Sequence, residues 1–108
     1  MATLTTQVHS LAGITPTYAS AAGGGDRFVP GDTTYIEVVN GSGGSITVTV
    51  DSKVNSNYGT DVNVAVAVSA GARAKIGPFP PQRFAASDGL GDITYSGVTS
   101  LTIGVFSQ

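Results

Sequence analysis

The stretch Ser45-Ile46-Thr47-Val48-Thr49-Val50-Asp51 decides the fold. Apolar and hydroxylated side chains alternate without a break, and successive side chains of a strand point to opposite faces. Ile46, Val48 and Val50 therefore share one face and Thr47 and Thr49 the other, with Ser45. Every residue from 46 to 50 is β-branched, which favours extended backbone over helix. A slip of one residue in the pairing of this strand would expose all three apolar side chains, so its register is well specified.

Working outward, Thr33 to Asn40 alternates in the same way, with Thr34, Ile36 and Val38 on one face and Tyr35, Glu37 and Val39 on the other. Between the two strands, Asn40-Gly41-Ser42-Gly43-Gly44 supplies a loop able to take positive φ at several positions, which predicts a hairpin. Downstream, Asp61 to Val68 sets Val62, Val64, Val66 and Val68 against Asp61, Asn63, Ala65 and Ala67. The small Ala residues on that outer face suggest close packing against another layer or subunit. After the turn Ser69-Ala70-Gly71, Ala72 to Ile76 reads as a short strand with Arg73 and Lys75 on one face. Gly77-Pro78-Phe79-Pro80-Pro81 cannot extend a ladder, because each Pro lacks a backbone donor. Asp92 to Ser96 and Leu101 to Phe106 complete the set. Strands spaced at about 8 to 12 residues with turn chemistry between them and no helical period predict an all-β domain, a small β-sandwich or jelly-roll-like barrel. Its expected core is Ile36, Val38, Ile46, Val48, Val50, Val62, Val64, Val66, Ile93, Leu101, Ile103 and Val105.

Residues 1 to 25 show no sustained period and carry a scatter of apolar side chains, Leu4, Val8, Leu11, Ile14 and Tyr18. They read as an extended N-terminal arm ahead of a β-domain over residues 26–108. A frayed terminus, or an edge strand on the domain itself, is the other reading.

Composition bounds the function. A chain of 108 residues with 41% hydrophobic and 11% charged residues holds one domain, and no cysteine is present to staple it. Globular chains average about a quarter charged residues, so Ser, Thr, Asn and Gly must keep this surface wet. Such neutral faces suit packing in an assembly, although a lone domain with a hydroxyl-rich surface has the same composition. A net charge of -2 and five basic residues argue against nucleic acid as a partner. No apolar run approaches the roughly 20 residues that cross a bilayer. The first residues lack the basic and apolar segments of a signal peptide, which predicts assembly in the cytoplasm.

Catalytic chemistry has little to draw on. His9 is the one histidine and lies in the arm. Carboxylate pairs at Asp51 and Asp61, or Asp88 and Asp92, are better explained as turn residues. The loop Asp88-Gly89-Leu90-Gly91-Asp92 lacks the remaining ligands of a calcium loop. Gly23-Gly24-Gly25 lacks the Lys and Ser/Thr ending of a phosphate cradle. These observations predict no catalysis, no metal and no cofactor. Carbohydrate binding would be helped by Trp, which is absent, and the four Tyr are scattered along the chain. The basic residues are more pointed, since Arg73, Lys75 and Arg83 flank the Pro-rich loop. They form either a docking patch for an acidic surface or the positive guard of an exposed edge strand. Aromatic and Arg side chains often dominate interfaces, so Phe79, Phe84 and Arg83, with Arg73, Lys75 and Tyr18, are the expected contact residues.

The run Ile76-Gly77-Pro78-Phe79-Pro80-Pro81-Gln82-Arg83-Phe84, followed by Ile93-Thr94-Tyr95-Ser96-Gly97-Val98-Thr99-Ser100-Leu101-Thr102-Ile103, resembles small structural proteins of tailed bacteriophages of the type encoded beside the major capsid protein. Gly31-Asp32-Thr33-Thr34-Tyr35-Ile36-Glu37-Val38-Val39-Asn40-Gly41 is similar to their opening strand. The resemblance spans residues 28 to 106 and is structural rather than catalytic. It implies a capsid decoration, or cement, protein on the virion exterior, bound to the major capsid protein and to copies of itself, as a homotrimer. A neck or tail-tube subunit, or a carbohydrate-binding β-sandwich, is the alternative.

Overall fold

The computed structural model describes residues 3–8, 13–52, 63–85 and 88–107. Their strands are β1 (Thr6–Val8), β2 (Ala19–Ser20), β3 (Asp26–Phe28), β4 (Thr34–Asn40), β5 (Ile46–Val50), β6 (Val64–Val68), β7 (Arg73–Ile76), β8 (Gly91–Tyr95) and β9 (Leu101–Ser107), with one helical turn, α1 (Pro81–Phe84), before β8. Two sheets result. One runs β1-β9-β4-β7, with β2 also paired to β9, and the other runs β3-β8-β5-β6. The protein is an all-β sandwich.

The alternation seen in the sequence places the core between the sheets. Ile36 and Val38 of β4, Ile46, Val48 and Val50 of β5, Ile93 of β8, and Leu101, Ile103 and Val105 of β9 are all buried. Each such side chain contributes about 1.5–3 kcal/mol by leaving water. Val64 and Val66 face the same way but are only half-buried, because β6 is the last strand of its sheet. Val62 lies outside the described residues.

The expected hairpin between β4 and β5 does not form, since the two strands belong to opposite sheets. Alternation fixes which face of a strand is buried and leaves its neighbour open. The loop is instead a bridge between layers organised by Asn40, which is fully buried. Its side-chain amide donates to the carbonyl oxygens of Gly44 and Val68, both at 2.9 Å, and its side-chain oxygen accepts from the Ser42 amide at 3.0 Å and the Ser42 hydroxyl at 2.7 Å. Most other connections also change sheet: β2 to β3, β3 to β4, β6 to β7, β7 to β8 and β8 to β9. β5 and β6 are successive strands that do pair directly.

The described part of the N-terminal segment takes the reading of an edge strand on its own domain. β1 runs parallel to β9, and β2 runs antiparallel to the same strand, so the described part of residues 1 to 25 completes the sheet of its own chain. Leu4 and Ala21 are buried in the core, and the Leu4 amide donates to the Arg27 carbonyl at 2.7 Å. Between β1 and β2, the side chain of Gln7 donates to the Thr17 carbonyl at 2.7 Å and accepts from the Thr17 amide at 2.8 Å. The weak period of residues 1 to 25 reflects strands of three and two residues, too short to show alternation. β3 is three residues long and escapes sequence reading for the same reason.

The Pro-rich segment folds inward. Pro81 opens α1, where its missing donor would go unused in any case. This turn carries Phe84 into the core, its ring edge-on to Phe79 at 5.1 Å, and Phe79 in turn meets Phe28 at 5.2 Å. Gly91 is required beside them, since a Cβ there would lie 2.8 Å from the Phe28 ring.

Candidate interaction surface

The outer face of the β1-β9-β4-β7 sheet gathers the side chains that β4, β7 and β9 turn away from the core. Tyr35 and Glu37 come from β4, Arg73 and Lys75 from β7, and Phe106 from β9. The register sets Glu37 directly opposite Lys75 and diagonal to Arg73, which faces Val39 two residues along the strand. Tyr18, at the entrance to β2, reaches across and donates its hydroxyl proton to Glu37 Oε1. That hydrogen bond to a carboxylate, more than burial, raises the Tyr18 hydroxyl above its ordinary pKa of 10.0.

Glu37 is 8% exposed, yet charge surrounds it. Arg73 Nη1 lies 3.9 Å from Oε1 and Lys75 Nζ lies 3.9 Å from Oε2, each cation keeping most of its side chain in water. Such loose pairs with exposed partners contribute little stability, on the order of 0–1 kcal/mol. The aromatic groups are packed more firmly. Tyr35 stacks on Phe106 at 5.7 Å, Tyr18 meets the same ring edge-on at 5.8 Å, and the Lys75 ammonium sits 5.9 Å from the Tyr35 ring centre.

Two grooves flank Tyr35 and Lys75. One of about 500 Å³ is lined by Asp32, Thr33, Ile76, Gly77 and Pro78 as well as those two residues. The other, of about 300 Å³, adds Ile14, Pro16, Tyr18, Glu37 and Phe106. Gly77 is fixed in this wall, because its φ is +140° and a Cβ would lie 2.8 Å from Tyr35 Cβ.

Of the six residues expected from the sequence to make contacts, the fold brings Tyr18, Arg73 and Lys75 together. Phe79 and Phe84 are 1% and 2% exposed and belong to the core, which corrects their assignment to a surface contact. Their apolar rings have more to gain from Phe28 than from solvent. Arg83 stays exposed on α1, its guanidinium 5.0 Å from the Phe84 ring centre. Sequence reading missed Tyr35, Glu37 and Phe106 as members of the patch. Tyr35 and Glu37 are marked by their place on the polar face of β4, but only the pairing of β4 with β7 and β9 makes that face a site.

A second buried carboxylate lies in the other sheet. Asp26 accepts from the Tyr95 hydroxyl at 2.7 Å and from the Ala22 amide at 3.2 Å. Burial first, and then this hydrogen bond, push the Tyr95 hydroxyl far above the usual phenol range. The pair ties the turn before β3 to β8 and is a structural contact. Among the described residues no three His, Cys, Asp or Glu side chains cluster as a metal site, and no helix is long and apolar enough to cross a membrane. Comparison with protein-family models, with curated proteins and with solved structures finds no match to this chain.

Proposed function

We propose that the chain is a bacteriophage capsid decoration protein, which binds the outer surface of the head as a homo-oligomer and stabilises contacts between capsomers. The observation that carries this reading is the patch of Tyr35, Arg73 and Lys75, borne on β4 and β7 around Glu37 and joined by Tyr18 from the segment before β2. Side chains on paired strands are held more rigidly than side chains on loops, so little conformational freedom is lost on docking. Aromatic and Arg groups are those that most often dominate interface energies, and the two exposed cations orient an acidic partner surface. The resemblance of residues 28 to 106 to phage structural proteins supplies the partner, the major capsid protein.

The test compares purified heads with and without the protein under heat challenge. Protein-coated heads should retain their genome to a higher temperature, and the double variant Arg73→Ala/Lys75→Ala should cosediment with heads less well while keeping its circular dichroism spectrum. Equal genome loss from bare and coated heads would overturn the reading. Labelling confined to one vertex would assign the chain to the neck or tail. The flanking grooves favour one further reading, a carbohydrate-binding sandwich, because Tyr35 lines both of them beside hydroxyl and carboxylate groups. Saturation-transfer NMR with neutral glycans tests it directly, and transfer from Tyr35 protons would support it.

A further inference from the structure

Each sheet of a sandwich ends in strands whose outer backbone groups are open to another chain, and soluble proteins cover, charge or shorten such strands. Three of the edges here are managed. The outer side of β9 is taken by β1 and β2, which themselves present only three and two residues. β7 carries Arg73 and Lys75. β3 is short and is met by the N-terminal segment, through the bridge between Thr3 and Arg27 and the bond from the Leu4 amide to the Arg27 carbonyl. β6 is different. It is five residues of Val64-Ala65-Val66-Ala67-Val68, with no charge, no Pro and no Gly, and no described strand lies on its outer side.

The direction of its backbone groups follows from the neighbouring ladder. Thr47 sends its amide to the Ser96 hydroxyl at 2.8 Å and accepts from the Ser96 amide at 2.9 Å, so both of its groups face β8. Antiparallel pairs alternate between bonded and non-bonded, and Thr47 opposite Ala67 is therefore a non-bonded pair. Ala67, and Ala65 two residues before it, direct their N–H and C=O groups away from β5. The side chains at these two positions are exposed and small. Val64 and Val66, on the inner face, remain half-exposed where other inward-facing valines are fully buried.

We infer that β6 is a self-association edge, which pairs antiparallel with β6 of a second copy about a two-fold axis at Val66. The parity is self-complementary. With Val66 opposite the partner's Val66, Ala65 faces the partner's Ala67 and Ala67 the partner's Ala65, and these are the residues whose backbone groups point outward. Each such pair exchanges both of its hydrogen bonds. The two Val66 side chains meet on the inner face and cover the surface that the single chain leaves half-exposed. No residue of β6 itself carries a charge that would oppose the contact. Because the pairing is isologous it consumes the open edge of both copies and closes at the dimer rather than growing a fibre. This inference is independent of any capsid role.

Analytical ultracentrifugation of the full chain over a dilution series tests it. The expected result is a monomer–dimer equilibrium, with the Ala65 and Ala67 amides protected from hydrogen exchange at high concentration and exposed on dilution. Ala65→Pro removes an outward donor without touching the β5 ladder, and Ala65→Lys/Ala67→Lys sets like charges opposite each other across the axis. Both should shift the protein to monomer with an unchanged circular dichroism spectrum. A wild-type protein that stays monomeric at every concentration, one that forms trimers, or a dimer that survives both variants overturns the proposal.

Discussion

The side-chain amide of Asn40, at the end of β4, donates to the carbonyl oxygen of Val68, at the end of β6, over 2.9 Å. One buried side chain thus links the two sheets at the point where the chain crosses between them. Its second amide proton and its oxygen fix the loop through Gly44 and Ser42, so the group is fully used. Asn40→Ala should lower stability by about 2–3 kcal/mol, since it leaves buried carbonyl and amide groups without partners. Asn40→Asp should be worse, because a carboxylate would face two carbonyl oxygens. Denaturant midpoints of the three proteins, at constant m, check the order.

The rings of Phe28, Phe79 and Phe84 form one cluster, and Arg83 lies outside it. Phe79→Ala and Phe84→Ala should each destabilise by about 3–5 kcal/mol. Arg83→Ala removes an exposed cation from a ring face and should cost about 0.5–1 kcal/mol. Thermal melts of the three variants separate core from surface, and near-equal effects would contradict the packing.

How much of this was legible in the sequence depends on strand length. β4, β5 and β9 carry five to seven residues each, enough for alternation to name Ile36, Val48 and Ile103 as core before any pairing is known. β2 and β3 carry two and three, and no period can be read from so few. Aromatic residues in a Pro-rich stretch give no sign of their burial, because a single helical turn decides whether Phe84 points in or out. The patch around Glu37 was half legible. Arg73, Lys75 and Tyr18 could be named one by one, but the pairing of β4 with β7 that unites them is a long-range fact of topology.

Leu4 provides a test of the N-terminal segment. It is 8% exposed and belongs to the core cluster although it sits before β1. Leu4→Ala should destabilise the whole fold by about 2–5 kcal/mol, a magnitude that a detached arm would not show. Removing residues 1 to 25 should go further, since it bares the outer side of β9 and takes Ala21 from the core. Urea unfolding followed by tyrosine fluorescence measures both, and a truncated protein as stable as the full chain would restore the independent arm.

Tyr95 makes stability sensitive to alkali. Its hydroxyl is held protonated in the folded protein by burial and by the Asp26 carboxylate, whereas in the unfolded chain it ionises near the ordinary value of 10.0. The raised folded pKa favours the native state fully below that value. As pH climbs past it the unfolded chain gains stability by losing the proton, so native stability falls from about pH 10 upward, toward the folded pKa. Tyr18 adds a smaller contribution of the same sign through Glu37. Melting temperatures should therefore be flat between about pH 7 and 9 and decline beyond about 10. Tyr95→Phe should lower the neutral-pH melting temperature, because the buried Asp26 carboxylate then loses the Tyr95 hydroxyl, and should flatten the alkaline decline. A variant with the wild-type slope above pH 10 would place the alkaline sensitivity elsewhere in the molecule.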